Sequence, residues 1–423
     1  MKGYIPRLVD QQLKRKLKGK GAVLIQGPKW CGKTTTAEQV AGSIIYMDEP
    51  ERKEQNIQLA DISPSVLLEG AAPRLVDEWQ IAPKLWDAVR FAVDHRSGKG
   101  HFILTGSAVP PELSETSHSG TGRFAWLTMR NMSLFESGES TGEVSVKALF
   151  DGEQDIKGTN SLNIHQLAYL VCRGGWPDTL DLEEDIALEA GNDYLDGVVN
   201  SDISRVDNVN RDPERARRIM RSYARNQGTQ IAYTEIAKDV TANELSFTDE
   251  TVASYVKALK RIFVVEDMPA WNPNLRSKTS IRATDTRYFS DSAIAAAALG
   301  IGPKDLIADL KTFGFLFETM CVRDLRVYSE SLNGAVYHYR DRSGLECDAV
   351  IHLKNGNYGL VEIKLGGDRL INEGAANLLE LESKIDTKKM PAPSFKMVLV
   401  GTDRYAYLRP DGVLVVPVGC LRE

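Results

Sequence analysis

The apolar positions of this 423-residue chain fall into three differently patterned stretches. In the first, short apolar runs at 22–25, 75–76 and 102–104 are separated by longer stretches of mixed polarity. Unbroken runs of this kind predict strands buried on both faces, and a helical pattern opens at Thr35, soon after the first of them. In the second stretch, Val252, Tyr255, Val256 and Leu259 recur at helical spacing and predict an amphipathic helix over about 248–260. A shorter helix is expected near 234–239, and "IFVVEDMPAW" predicts a strand pair behind them. From Arg287 the pattern changes again. "RYFSDSAIAAAALG" reads as strand, turn and Ala-rich helix, and "GFLFETMCVRDLRVYS" as an amphipathic helix carrying Glu318. Then come "AVYHYR", two apolar-rich strands joined at Asn355-Gly356-Asn357, a helix near 370–385, and the strands "FKMVLV" and "GVLVVPV".

The first stretch carries the strongest chemical signal. Gly27-Pro28-Lys29-Trp30-Cys31-Gly32-Lys33-Thr34 matches Gly-x-x-x-x-Gly-Lys-Thr, with a strand before it and a helix from Thr35 after it. Glycines let backbone N–H groups converge on phosphate oxygens, and the helix N-terminus adds a favourable dipole. Residues 27–35 are therefore the expected ATP-binding loop. Lys33 is expected to reach the β- and γ-phosphates, and Thr34 to ligate Mg²⁺. Asp77, ending the run in "PRLVDEWQ", suits the Mg²⁺ shell, and Glu78 suits the orientation or deprotonation of water. Thr105 and Ser107, ending "HFILTGSA", either sense the γ-phosphate or cap the strand end. A thiolate at Cys31 would be favoured by the loop and by Lys33, which makes oxidation a way to switch off ATP binding.

The order phosphate loop, "YMDEP", "LVDEWQIAP", "FILTGSA" and "GTGRFAWLTMRNMSLFE" resembles a large prokaryotic family of AAA-type ATPases whose members carry a C-terminal domain of unknown function. The resemblance implies a five-stranded parallel αβα core in which Lys33, Thr34, Asp77 and Glu78 take the roles just derived. It also matches Gly122-Arg123 to a Gly-Arg after the sensor strand. Arg123 would then stabilise γ-phosphate charge, within the molecule or from a neighbouring copy, or else serve as a surface or docking arginine. "VCRGGWPDTL" resembles a further signature of the family, with a structural role.

Composition narrows the remaining choices. A net charge of −6 excludes a general polyanion binder, so nucleic-acid contact would need a local basic patch. "NRDPERARRIMRSYARNQG" holds six arginines, which read either as such a patch or as a solvated helix with its own ion pairs. Five widely spaced cysteines fit a reducing compartment and argue against a disulfide framework or a zinc site. With no apolar run long enough for a bilayer, a cytoplasmic chain without membrane contact is expected. The segment at 231–275 has the layout of a winged helix, although Asp249 and Glu250 at the start of its second helix would repel a DNA backbone.

The last stretch has the helix, three strands, helix, strand order of a restriction-endonuclease-like core. Asp348 with Glu362-x-Lys364, and Glu318 as a helix-borne fourth member, supplies what phosphodiester hydrolysis needs. Carboxylates Asp348 and Glu362 would hold metal, and Lys364 would stabilise water or transition-state charge. This resembles an Asp…Glu-x-Lys nuclease signature. The expectation is an α/β chain with a P-loop domain at 1–140, a helical region at 141–230, a winged-helix region at 231–275 and a nuclease-like domain at 276–423. Three functions fit it: an ATPase acting on nucleic acid, a signalling or scaffold ATPase whose last domain only binds, and one whose last domain is a dimerisation platform. A homo-oligomer is compatible with each.

Overall fold

β1 (Ala22–Gln26) lies inside a parallel sheet with β2 (Ser43–Tyr46), β3 (Arg74–Asp77), β4 (Phe102–Gly106) and β5 (Phe124–Thr128), in the order β2-β3-β4-β1-β5. The structure is a computed structural model and describes residues 3–107, 120–207, 209–240, 247–272 and 284–423. Ala108, the stretch 241–246 between the two predicted helices and the expected boundary at 275/276 lie outside the described residues. Alternate β1 residues feed two cores, as the two-residue period of a strand requires. Ala22 and Leu24 join Val76, Trp86, Phe102 and Phe124, while Val23 and Ile25 join Leu75, Ile103 and Leu127. A helix absent from the sequence reading, Val9–Gly19, covers the second face with Leu13 and Leu17. Both faces are thus buried, which explains the unbroken apolar runs. Because the strands are parallel, β1, β3 and β4 deliver their C-terminal ends to one edge of the sheet.

The described chain forms two units. One comprises Met1–Asn131 with Ser201–Asn210 and Lys257–Phe263; the other comprises Met132–Asn200, Arg211–Val256 and Val264–Glu423. Apart from Ser201–Asn210 and Lys257–Phe263, the segments expected after residue 140 fall within the second unit. Buried polar contacts within the second unit account for this. Arg323 binds Asp291 at 3.1 Å and Asp324 at 2.8 Å, with all three side chains at most 2% exposed. Asp291 also accepts from Gly175 N, and Asp324 from Leu134 N. Breaking such a network leaves a buried charge without its partner. Arg323→Ala is expected to cost about 3–5 kcal/mol of stability, measured by denaturant unfolding followed in the second unit.

The second unit is built on a seven-stranded sheet. Its strands are β7 (Gly158–Thr159), β8 (Gly334–Arg340), β9 (Glu346–Leu353), β10 (Tyr358–Lys364), β11 (Phe395–Val400), β12 (Tyr405–Leu408) and β13 (Leu414–Pro417). They lie in the order β7-β12-β13-β11-β10-β9-β8. Two further short strands, β6 (Val144–Ser145) and β14 (Leu421–Arg422), pair with each other. The helix Leu310–Ser331 leads into the antiparallel run β8-β9-β10, and the helix Asp368–Lys384 carries the chain over to β11, parallel to β10. Pairing of β7 with β12 draws a segment read as helical connection into this sheet.

The two helices of the middle stretch are Tyr233–Val240 and Asp249–Arg261, within a residue or two of expectation. The expected strand pair within 262–271 does not form; that segment instead makes isolated bridges to a later one, with Glu266 N donating to Tyr288 O at 3.0 Å and Met268 N to Thr286 O at 2.8 Å. The arginine run forms the helix Pro213–Arg225, where Arg217 pairs with Asp196 at 2.8 Å and Arg225 lies 3.6 Å from Asp239. Those pairs fit a solvated helix face better than a bare basic patch.

Candidate functional site

The loop after β1 is shaped by its glycines. Gly32 has φ 96°, a left-handed value that costs other residues steric strain, and a Cβ on Gly27 would lie 2.0 Å from the Met129 carbonyl oxygen. Lys33 is 6% exposed, and its ammonium donates to the carbonyls of Gly27 at 3.1 Å and Pro28 at 2.7 Å. Thr34 Oγ1 donates to Asp77 Oδ1 at 2.7 Å, and Thr105 Oγ1 donates to the same oxygen at 2.5 Å. The first helical turn after the loop and the ends of β3 and β4 thus meet on one carboxylate oxygen. Burial raises the Asp77 pKa, and the two hydroxyls oppose that shift. Burial likewise raises Glu78, with Lys33 opposing. Glu78 has φ 52°, an uncommon backbone state for a non-glycine residue, and its carboxylate accepts a hydrogen bond from Gln80. A hydroxyl and a carboxylate of hard oxygen character, side by side, fit Mg²⁺.

The other loop residues separate by environment. Thr35 is exposed on the first helical turn, and Trp30 is exposed with φ 63°. Lys29 pairs with Asp202 at 2.7 Å, so the segment Ser201–Asn210 folds against the loop. Cys31 corrects an expectation. Its side chain is fully buried among Val9, Leu13 and Met129, so it is a packing residue and not an exposed oxidation switch. Ser107 is also buried.

Arg123 is not brought to the loop. Ala22 pairs with Phe124, so Arg123 precedes β5 at the edge where β1 begins, about 16 Å of strand from the loop at roughly 3.3 Å per residue. There it binds Asp94 at 2.8 Å. Sequence reasoning missed Arg7, whose buried guanidinium donates to Cys31 O at 2.8 Å and Arg130 O at 2.9 Å and so ties the loop down.

In the second unit, β9 and β10 bring Asp348, Glu362 and Lys364 together. Lys364 Nζ lies 3.0 Å from Asp348 Oδ2 and 2.6 Å from Glu362 Oε2, and Ile363 N donates to Asp348 Oδ2 at 2.7 Å. Glu362 is 1% exposed, and its Oε1 has no hydrogen-bond partner. It lies beneath the Asp368–Lys384 helix at Gly374, where a Cβ would stand 3.2 Å from Glu362 Cβ. Glu318 accepts from Tyr288 OH. Burial and then the Asp348 charge push Glu318 and Glu362 each up to about 8. Burial would lower Lys364, but the two carboxylates hold it above its ordinary value. An orphaned buried carboxylate oxygen and carboxylates that resist ionisation are what a site short of positive charge looks like, so the residues fit a cation. Among the described residues, though, no group of three acidic, His or Cys side chains is already arranged as a metal cage.

Comparison with known proteins divides the chain into three matched stretches. A family model described as an AAA domain matches residues 19–137, the stretch holding the loop, Asp77, Glu78 and Thr105. This stretch is an AAA-type ATPase domain. Residues 164–305 and 313–421 match two domains of unknown function, DUF8612 and DUF4143. Uncharacterized proteins of Mycobacterium bovis (Mb2031c) and Mycobacterium tuberculosis (Rv2008c) are each 23% identical over 356 residues, covering 84% of this chain and 72% of theirs. The Walker-type ATPase PABY2304 of Pyrococcus abyssi is 15% identical, with a TM-score of 0.42 over 68% of this chain and 94% of that one. No described helix is long and apolar enough to cross a membrane.

Within the AAA domain the residues expected to hold ATP and metal are gathered at one edge, with Arg123 at the other. Lys29–Asp202 lies 173 residues apart in sequence, and Arg7–Arg130 lies 123 apart. The motif itself gives no signal for either contact.

Proposed function

We propose that the chain is a Mg²⁺-dependent ATPase joined to a winged-helix region and a restriction-endonuclease-like domain whose carboxylates act on nucleic acid. The observation that carries the ATPase half is the single Asp77 oxygen receiving both Thr34 and Thr105. It links the phosphate loop to the two neighbouring strand ends, so a change at the γ-phosphate reaches all three. Thr34 and Asp77 would hold Mg²⁺, which when bound would supply positive charge against the phosphates. Lys33 would leave the Gly27 and Pro28 carbonyls for phosphate oxygens. Glu78, raised by burial, would accept the proton of the attacking water. Arg123, paired with Asp94 away from the loop, would reach phosphate only from a neighbouring copy in a homo-oligomer, and otherwise serves as a surface arginine.

Glu78→Gln keeps the shape of this site and removes its base. ATP binding is expected to persist while turnover falls by at least about a hundredfold, the lower range for general base catalysis. Parallel nucleotide-binding and phosphate-release measurements read this directly; equal turnover in the two proteins would remove Glu78 from the reaction.

For the second unit, one observation favours an alternative. Lys364 already bridges Asp348 and Glu362, so the site also suits a domain that binds nucleic acid without cutting it.

A further inference from the structure

Glu318 and Lys364, two members of the carboxylate–lysine cluster, line a cavity of about 370 Å³ at the ends of the parallel strands β10 and β11. One wall is a single face of the Leu310–Ser331 helix, where Leu310, Gly314, Phe315 and Glu318 fall on successive turns. Opposite lie Lys364, Leu365 and Gly366, which follow directly from the Glu362-x-Lys364 strand, and Thr402. Ile164 and Leu370 add apolar surface. Gly314 leaves room on purpose-built ground: a Cβ there would meet nothing within 4 Å.

The lining sets the chemistry of an occupant. It needs a flat apolar body for Phe315, Leu310, Ile164 and Leu370, and an anionic or hydrogen-bonding part for Lys364 and Thr402. Its size sits at the small end of ligand sites, roughly 300–1,000 Å³. A nucleotide unit has this combination; Lys364, which pairs with Asp348 and Glu362, and Lys311 are the cations of the lining. A base paired and stacked in a duplex cannot enter such a cavity, whereas one in a single strand is free to leave its stack and lie on an aromatic side chain.

We propose that this cavity is a subsite for one unstacked nucleotide of a single-stranded nucleic acid, its base against Phe315 and its phosphate toward Lys364. The proposal rests on the nucleic-acid reading of the second unit and names the substrate class of that site. The face of the Leu310–Ser331 helix acts as the selective element, and the carboxylates lie where the neighbouring phosphate would follow.

The test uses the full chain carrying Lys33→Ala, so that the AAA domain does not hold the probe, and thymidine 5′-monophosphate as that probe. Calorimetric titration is expected to give one saturable site, weakened at least tenfold by Gly314→Leu. That substitution fills the cavity and replaces a helical glycine, so the variant should melt no earlier than its parent. Preference for a single-stranded over a duplex oligonucleotide should fall with it. Absence of saturable binding to millimolar probe, or equal binding by the Gly314→Leu protein, overturns the subsite. The cleavage reading fails separately: Mn²⁺-dependent cutting lost in Glu362→Gln with probe binding kept supports both ideas. Probe binding with no cutting of any oligonucleotide leaves the subsite and removes the nuclease. Cutting that Gly314→Leu leaves unaltered, without probe binding, removes the subsite alone.

Discussion

Lys33→Ala is expected to abolish ATP turnover and to weaken ATP binding in the same step. The ammonium is buried, and its two hydrogen bonds run to carbonyls of its own loop, Gly27 and Pro28. It is also a cation that opposes the burial-driven rise of both Asp77 and Glu78. Alanine would leave two loop carbonyls without this donor and two carboxylates without their nearby positive charge. A triphosphate would then meet net repulsion where it should meet an ammonium. Loss of a donor aimed at developing charge costs about 10²–10³ in rate, and here ground-state binding falls as well. Phosphate release and nucleotide titration on the same preparation, with melting curves to show that the variant folds, measure both effects. Turnover within a few-fold of the parent would sink the assignment of the loop to the reaction.

That prediction needs nothing beyond what was legible in the sequence, because the spacing of Gly27, Gly32, Lys33 and Thr34 encodes a local backbone shape. Asp77 and Thr105 were legible for a related reason: each ends an apolar run, and parallel strands put such ends on one edge. Arg123 was not, since its distance from the loop depends on the register of β5 against β1, which no local pattern states. The direction of the Cys31 side chain was likewise hidden. It faces the core because Val9 and Leu13, from a helix the apolar pattern did not reveal, close that side of the loop.

The partition of the chain was the least legible feature. Ser201–Asn210 and Lys257–Phe263 belong with the AAA domain, yet neither is marked by a shift in composition. Their allegiance comes from long-range pairs such as Lys29–Asp202 and Arg261–Asp207. In the second unit the order of elements and the convergence of Asp348, Glu362 and Lys364 followed from strand alternation and one turn. The cavity beside them did not, because it depends on a glycine at 314 and on Ile164, 150 residues away.

Glu362→Ala is expected to remove Mn²⁺ binding from the second unit, and with it any metal-dependent cleavage of nucleic acid. The reasoning begins from charge. Three carboxylates, Glu318, Asp348 and Glu362, face one ammonium, and burial first and then the Asp348 charge raise Glu318 and Glu362 to about 8. A divalent cation would compensate that surplus, using the unpartnered Glu362 Oε1 that water does not reach. Protons must leave for metal to bind, so affinity should rise with pH through the region near 8 and fall below it. Removing Glu362 takes away the orphaned oxygen and frees Lys364 to pair with Asp348 alone, leaving a neutral pair with little attraction for a dication. Metal titration of the parent and of the Glu362→Ala protein, at pH 6.5 and pH 8.5, reads the whole argument. A parent that binds no Mn²⁺ at the higher pH, or a variant that binds it as well as the parent, means that Lys364 alone satisfies the carboxylates. The second unit would then be a binding module in which the ammonium stands where a metal would.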